Sequence, residues 1–226
     1  LRDEAQFRGY TVVDPASVVT THLTEIAKDN MPDMLSYAET QKLLDELPRD
    51  QRKLLDDLVP AQISIAGIQR VLQALLAERV SIRDLPTILE GLSDGLAGGL
   101  RAVPALVGQV RVRLARQISE AATTPAGYIP LLALSPTWEQ ALAESLCGPA
   151  EDRQLAMAPS KLTEFMVKLR DAFDRAAATG EAPVLLVSPQ LRAHVRAIVE
   201  RFRPSTVVLS QAEIFARARI RTVGQV

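Results

Sequence analysis

The side chains best suited to nucleophilic catalysis are the single cysteine, Cys147, and the two histidines, His22 and His194. A thiol nucleophile needs a base and an orienting group within hydrogen-bond reach. Both histidines are distant from Cys147 along the sequence, and no nucleophile-elbow pattern accompanies them. We therefore expect Cys147 to be a small, buried, apolar residue near a helix end. An enzyme that depends on a cysteine or serine is the alternative.

Metal and nucleotide chemistry have no recognisable motif in this sequence. His22 lies near the apolar stripe of a predicted helix, which favours a packed or hydrogen-bonded structural histidine over a pocket role. Gly95, Gly98 and Gly99 lack the preceding strand and the following lysine of a phosphate-binding loop, so they predict a loop between helices. We expect no metal ion and no cofactor.

The most basic part of the chain is residues 192–221, with seven arginines against two glutamates. Its last three arginines alternate with apolar residues, which on a strand places three guanidinium groups on one face. A solvated face or edge strand that resists aggregation is the favoured interpretation, and a partner surface is the alternative. Nucleic acid is not expected, because few aromatic residues are available to stack bases. The arginines are Arg192, Arg196, Arg201, Arg203, Arg217, Arg219 and Arg221.

The overall composition is that of a globular protein, with 47% hydrophobic and 23% charged residues among 226, and a net charge of −1. No apolar run reaches the roughly 18 residues that suggest a membrane span. A single cysteine excludes an intramolecular disulfide, which fits a reducing compartment. The missing initiator methionine predicts that the chain is a fragment of a longer protein.

The first half of the chain has the spacing of helices. Asp14 is expected to cap a helix that has Pro15 in its first turn, and Pro32 to begin a second one. Ser64 caps a predicted helix with an apolar stripe of period 3.6. A turn at Asp84 precedes another helix, and a long one is predicted from Leu100 to Ala121. Residues 15–121 are therefore predicted to be nearly all helical.

The pattern changes after a turn-rich segment at 123–127. Helices are expected to begin at Ser135-Pro136, Ser160 and Ser188-Pro189, and strands at 128–134, 184–187, 206–209 and 217–223. This alternation is typical of an α/β unit with a largely parallel core. The predicted fold is thus mixed α and α/β, a helical subdomain followed by a small α/β subdomain with a four-stranded sheet. The boundary is placed near residue 122.

Three groups of segments, taken in order, resemble one known family. They are Gly-Tyr-Thr-Val-Val-Asp-Pro at 9–15 with Val-Val-Thr-Thr-His-Leu at 18–23, Leu-Val-Pro at 58–60 with the run 71–90, and Pro-Val-Leu-Leu-Val at 183–187 with Val-Leu-Ser at 208–210. The run Glu-Arg-Val-Ser-Ile-Arg-Asp at 78–84 is the most specific. Together they resemble the C-terminal cytoplasmic region of the FlhA-type export-gate (FHIPEP) family.

The resemblance implies a non-enzymatic component of the flagellar type III protein export apparatus. The equivalent component of a virulence injectisome is the alternative. Such proteins have an N-terminal membrane region, so this part would lie at the cytoplasmic face of the bacterial inner membrane. There it would form a homo-oligomeric ring and dock export chaperones with their bound late flagellar substrates. Other export-apparatus subunits, including the ATPase complex, are further expected partners.

The family's cytoplasmic part has four subdomains, and the resemblance divides this chain among three of them. Residues 1–35 correspond to a remnant of the first, 36–121 to the helical third, and 122–226 to the α/β fourth. The family's chaperone-docking pocket is a hydrophobic dimple between the first and second subdomains. The matching motif places Val13, Val18 and Thr21 on its wall, with the other wall upstream of Leu1.

Two local alternatives concern single residues. Val13 and Val18 could instead be ordinary core residues, stabilised by burial. The Ile-Arg-Asp turn at 82–84 is expected to be structural, with Asp84 capping the following helix. Arg83 is expected to pair with a nearby carboxylate or a helix end.

Overall fold

A computed structural model describes residues 12–149 and 153–226. Its first part is helical, as predicted. None of the described helices is long and apolar enough to cross a membrane. The helices of this part are α1 (Pro15–Met34), α2 (Tyr37–Asp45), α3 (Arg49–Leu58), α4 (Ile65–Ala77), α5 (Leu85–Ala97), α6 (Val103–Arg113) and α7 (Ala115–Ala122).

The second part is an α/β unit around a four-stranded sheet in the order β5-β4-β1-β6, in which all neighbouring strands are parallel. The predicted mixed fold and four-stranded sheet are therefore confirmed. The elements are β1 (Ile129–Ala133), α8 (Pro136–Glu144), β2 (Leu146–Cys147), β3 (Gln154–Leu155), α9 (Pro159–Ala178), β4 (Val184–Val187), α10 (Arg192–Val199), β5 (Val208–Ser210), a 3-10 turn (Gln211–Glu213) and β6 (Ile220–Gln225).

The predicted helix caps are confirmed at three places. The backbone N–H of Ser17 donates to Asp14 at 2.9 Å, and that of Gly67 donates to Ser64 at 3.1 Å. The carboxylate of Asp84 likewise accepts from the N–H of Thr87 at 3.2 Å. Each bond satisfies a backbone donor that has no partner inside its own helix.

Several predicted helix boundaries were wrong. Pro32 lies in the last turn of α1, and the next helix begins at Tyr37 because Ser36 supplies the cap. The helix predicted from Leu100 to Ala121 is divided at Leu114, whose backbone (φ −82°, ψ 10°) leaves the helical region and separates α6 from α7.

In the α/β unit the helix start predicted at Ser135-Pro136 is confirmed, and the other two predicted starts differ. Helix α9 begins at Pro159 with Ala158 before it, and no side chain caps it, so Ser160 lies inside the first turn. Helix α10 is shorter than predicted because Pro189 lies in a turn that precedes it. The strand predicted at 217–223 begins only at Ile220. Residues 12–14, which precede α1, form no strand, and the backbone of Asp14 is extended (φ −72°, ψ 151°).

The predicted glycine loop is only partly correct. Gly98 and Gly99 follow the end of α5, with Gly99 in the left-handed region at φ +86°. Gly95 lies inside α5, where a Cβ would come within 3.0 Å of Leu106 Cδ2 on α6. A Cβ at Gly91 would come within 2.9 Å of the Val110 Cα atom. These two glycines let α5 and α6 approach closely.

The sheet joins the two parts of the fold, because its two faces belong to two different cores. Ile129 and Leu131 of β1 pack with the helical part, whereas Leu132, on the opposite face, packs with the residues of α8, α9 and α10. Strand β5 divides in the same way, with Leu209 on the helical side and Val208 on the other. Alternation along each strand therefore attaches the α/β unit to the helices.

Candidate docking surface and charged subdomain boundary

The three predicted docking residues lie at the start of α1 and are accessible to a partner. Val13 precedes the helix cap, and Val18 and Thr21 are three residues apart, on neighbouring positions of one helical face. Val13 and Val18 are each 53% exposed. Within the described residues, neither valine is packed in a core.

The apolar surface of α1 extends well beyond those three residues. None of the residues of this helix, all of which are described, is buried. Such a row of exposed large apolar side chains typically marks a contact surface in a soluble domain. Its other exposed members are Val19, Leu23, Ile26, Met31 and Met34.

Polar contacts attach α1 to the rest of the helical part. Arg79, directly after α4, donates to Glu25 and to Asp29 of α1, each at 2.6 Å. Gln73 of α4 donates to the backbone oxygen of Pro32 at 3.2 Å. Hydrogen bonds from Lys28 and then from Arg79 hold the pKa of Glu25 below its usual range. The ion pairs hold the helix while its apolar row stays accessible.

The residues considered for catalysis do not form a site. Cys147 was predicted to be buried but is exposed, because it belongs to the two-residue hairpin of β2 and β3 outside the main sheet. His22 was expected to be packed or hydrogen-bonded but is exposed. Among the described residues, no hydrogen bond joins the Cys147 thiol to His22 or His194. Burial, and next the charge of Arg153, lower the pKa of His194.

The described residues support metal binding no better than they support catalysis. In the described ranges, no group of three or more histidine, cysteine, aspartate or glutamate side chains lies close enough to share an ion.

The strongest electrostatic feature is a buried ion pair between Arg111 of α6 and Glu213 of the 3-10 turn. Arg111 donates from Nε and from Nη2 to the two carboxylate oxygens, each at 3.0 Å. Both side chains are only 2% exposed. Two parallel bonds between a guanidinium and a carboxylate form the most directional ion pair that proteins make.

Two further charges close this pair into a ring of four. Glu78, directly after α4, lies 3.0 Å from Arg111 Nη1 and accepts from Arg192 Nη1 at 2.5 Å and from Arg192 Nη2 at 3.1 Å. Arg192 Nε in turn lies 3.1 Å from Glu213. Positive and negative groups alternate, so the cluster is neutral, as a buried charge cluster must nearly be. We call these four residues the charge ring.

Burial and pairing act in opposite directions on the pKa of Arg111. Burial alone would lower the pKa of Arg111, but the hydrogen bonds with Glu213 and the negative charges of Glu78 and Glu213 leave it raised. The ion pairs of the charge ring connect α4 and α6 of the helical part with α10 and the β5 turn of the α/β part.

Sequence reasoning missed this cluster and misplaced two arginines of α10. Arg192 and Arg196 were expected on a solvated face, but they are 4% and 7% exposed. Arg196 donates to the backbone oxygens of Pro204 and Thr206, each at 3.1 Å. A local signal did exist for Glu213, since Ser-Gln-Ala-Glu at 210–213 is a capping box. Conversely, Arg83 is exposed and forms no ion pair within the described residues.

A cleft of about 160 Å³ runs beside the charge ring, lined by Ser81, Gln117, Thr206 and Val207 among others. Ligand pockets generally occupy about 300–1,000 Å³. This cleft is too small for a peptide anchor of several side chains.

Comparison with known proteins gives one consistent picture. The FHIPEP family matches residues 1–219. The chain is 60% identical over all 226 residues to the flagellar biosynthesis protein FlhA of Caulobacter vibrioides, and spans 32% of that protein. It thus spans about a third of the length of the curated relatives it matches.

Solved structures resemble the fold throughout. The Chlamydia pneumoniae CdsV protein superposes with a TM-score of 0.86 at 24% identity, over 99% of this chain and 64% of that one. The nonameric SctV-C of EPEC superposes with a TM-score of 0.80 at 25% identity, over 92% of this chain and 62% of that one.

Proposed function

This chain belongs to the FHIPEP family, and from that membership we propose that it is a docking and assembly part of a flagellar protein export gate. The observation that carries this proposal is the exposed apolar row of α1, together with Val13 just before the helix and the hydroxyl of Thr21 beside Val18. The parent protein would lie in the inner membrane with this part on the cytoplasmic side, and the part itself would catalyse no reaction.

Docking on α1 follows from the chemistry of its surface. Exposed valines beside a short hydroxyl group accept an apolar anchor of a partner, and a few such residues supply most of the binding energy. The proposed partners are export chaperones with their bound late flagellar substrates. This chain covers 62% of SctV-C, and we propose that the second wall of the pocket comes from the portion it does not cover.

Assembly into a ring is proposed from relatives. Two solved relatives at 25% and 26% identity, SctV-C and the cytosolic domain of EscV, are described as nonameric. The charge ring would hold the two parts of this chain together within each subunit. We propose residues 36–121 and 122–226 as the assembling subdomains, and residues 1–35 as the piece that contributes to docking.

We propose that this chain serves a flagellar export apparatus and not a virulence injectisome. The identity is 60% to the flagellar relative from Caulobacter vibrioides but 25% to the solved nonameric SctV-C of EPEC.

The experiment is an equilibrium binding titration of a purified chaperone–substrate complex against the full-length parent protein. Val13→Asp and Thr21→Asp place a charge in the proposed apolar contact, so each is expected to weaken capture about tenfold or more. Val167→Asp is the matched control, because Val167 on α9 is 50% exposed and lies outside the proposed surface. Unchanged capture by both α1 variants would remove the docking assignment.

A further inference from the structure

The two edges of the main sheet are built differently. Strand β5 is three residues long, it is buried, and the backbone oxygen of Val208 accepts from Arg111 at 3.4 Å. Strand β6, at the other edge, is six residues long and mostly exposed, with Ile220 55% exposed. Long exposed edges are uncommon, because their free backbone groups invite another strand to pair.

The register identifies which backbone groups of β6 are free. Ile129 donates to the oxygen of Arg219 at 2.8 Å, and Leu131 lies opposite Thr222. In a parallel pair the N–H and C=O of one residue point to the same side, and successive residues alternate. Arg221 therefore faces β1, whereas Ile220 and Thr222 direct their backbone groups outward. Across residues 12–149 and 153–226, no other group bonds to those outward groups.

Helix α9 lies beside this edge of the sheet. A groove of about 330 Å³ lies between them, lined by Ala172 and Ala176 of the helix, by Thr179 directly after it, and by Val223 and Gly224 of the strand. These side chains are small or of medium size, which leaves room for the alternate side chains of an added strand.

Uncompensated positive charge surrounds the same edge. Arg217 and Arg219 precede β6 and are exposed, and Arg175 lines the groove. Within the described part of the chain, none of these three arginines is in an ion pair. Arg221, in contrast, pairs with Glu181 and stacks over Tyr128 at 4.2 Å. The free charge at the edge therefore selects for an acidic partner.

We propose that the outer edge of β6 binds an extended acidic segment of a partner protein as a fifth strand of the sheet. Main-chain bonds to Ile220 and Thr222 would supply affinity, and the groove and arginines would supply selectivity. A second copy fits poorly, because the β6 sequence Ile-Arg-Thr-Val-Gly-Gln contains no acidic residue. This site is separate from the α1 surface, so either proposal can fail alone.

The probe is a short fluorescein-labelled peptide in which glutamates alternate with valine and threonine, titrated with the chain and followed by anisotropy. Thr222→Pro removes one outward N–H while leaving the bonds to β1, and proline is tolerated at such edge positions. We expect binding to weaken about tenfold, the equivalent of roughly 1.4 kcal/mol. Thr222→Val keeps the N–H and should bind within about twofold of wild type on the same scale.

A second measurement does not depend on how Thr222→Pro folds. Amide hydrogen exchange of Ile220 and Thr222 in the wild-type chain should slow when the peptide is added, because both N–H groups become bonded. Absence of any slowing would overturn strand addition even if the peptide binds.

Charge selectivity is tested with Arg217→Glu and Arg219→Glu against the control Arg201→Glu, an exposed arginine after α10. The first two should weaken peptide binding about tenfold and reduce its salt dependence, while the control should not. A peptide with lysines in place of the glutamates should not bind. The proposal is contradicted if the wild-type chain does not bind the peptide, or if Thr222→Pro binds it as tightly as wild type does. It is also contradicted if the wild-type chain forms a dimer that Thr222→Pro loses, because that result would assign the edge to a second copy.

Discussion

Arg111 and Glu213 lie 102 residues apart in the chain and form two 3.0 Å bonds with each other in the interior. They connect the helical part to the α/β part at the place where β5 ends. Removing one partner of a buried pair leaves an uncompensated charge. The contribution of this ion pair to the contact between the helical part and the α/β part can therefore be tested by substitution.

Glu213→Gln should lower the free energy of unfolding by about 3–5 kcal/mol, because Arg111 and Arg192 would then share only the charge of Glu78. Urea unfolding of the two proteins measures the difference. The control is Glu164→Gln, which breaks an exposed pair with Lys168 at 3.5 Å and should change stability by less than about 1 kcal/mol. Equal effects of the two substitutions would mean that the charge ring contributes no more than a surface pair.

A double substitution tests whether the pair acts as a unit. Arg111→Met alone leaves two glutamates facing Arg192, whereas Arg111→Met with Glu213→Leu leaves the neutral pair of Glu78 and Arg192. We expect the double variant to be less destabilised than the sum of the single variants by about 1–3 kcal/mol. Simple additivity in a double-mutant cycle would contradict a shared network.

The boundary between the helical part and the α/β part shows why some of the fold can be predicted from the sequence and some cannot. The caps at Ser64 and Asp84 were predictable, since each acts on a backbone group three residues away. The capping box at 210–213 is a local signal for Glu213, but nothing local predicts its pairing with Arg111, because only the completed fold brings the two residues together. Cys147 was misplaced for a related reason, because whether a hairpin lies over a core or beside it is decided by tertiary packing.

The docking residues show the same difference between what the sequence predicts and what only the folded structure decides. Family resemblance supplied Val13, Val18 and Thr21, and helical spacing placed the last two on one face. Their exposure could not be predicted, because an apolar stripe at helical period fits a core as well as a contact surface.

Close contact between α5 and α6 gives a prediction with an internal control. Gly91→Ala places a methyl group 2.9 Å from Val110 Cα, so we expect destabilisation of about 1–3 kcal/mol by overpacking. Gly108→Ala, within α6, meets no atom within 4 Å and should stabilise the helix by about 0.5–1 kcal/mol. Thermal unfolding of both variants measures whether each substitution raises or lowers the stability of the protein. A stabilised Gly91→Ala would contradict the close packing of α5 against α6.

The ion pairs that hold α1 should depend on pH in a defined direction. Bonds from Lys28 and Arg79 lower the pKa of Glu25, so the contribution of this carboxylate is present above its unfolded pKa of about 4.3. It is lost as the pH falls through the lower, folded pKa. NMR titration of the Glu25 carboxyl should show the depressed pKa, and Arg79→Gln should move it upward. An unchanged pKa in Arg79→Gln would mean that the contact with α4 does not hold the carboxylate.

The central claim is that the exposed row of α1 captures export partners. Its most direct test is isothermal titration of a purified chaperone–substrate complex into the full-length parent protein, comparing wild type, Val18→Asp and the control Val167→Asp. The account predicts that Val18→Asp weakens binding about tenfold or more while Val167→Asp binds like wild type. Equal affinity of all three proteins would contradict it.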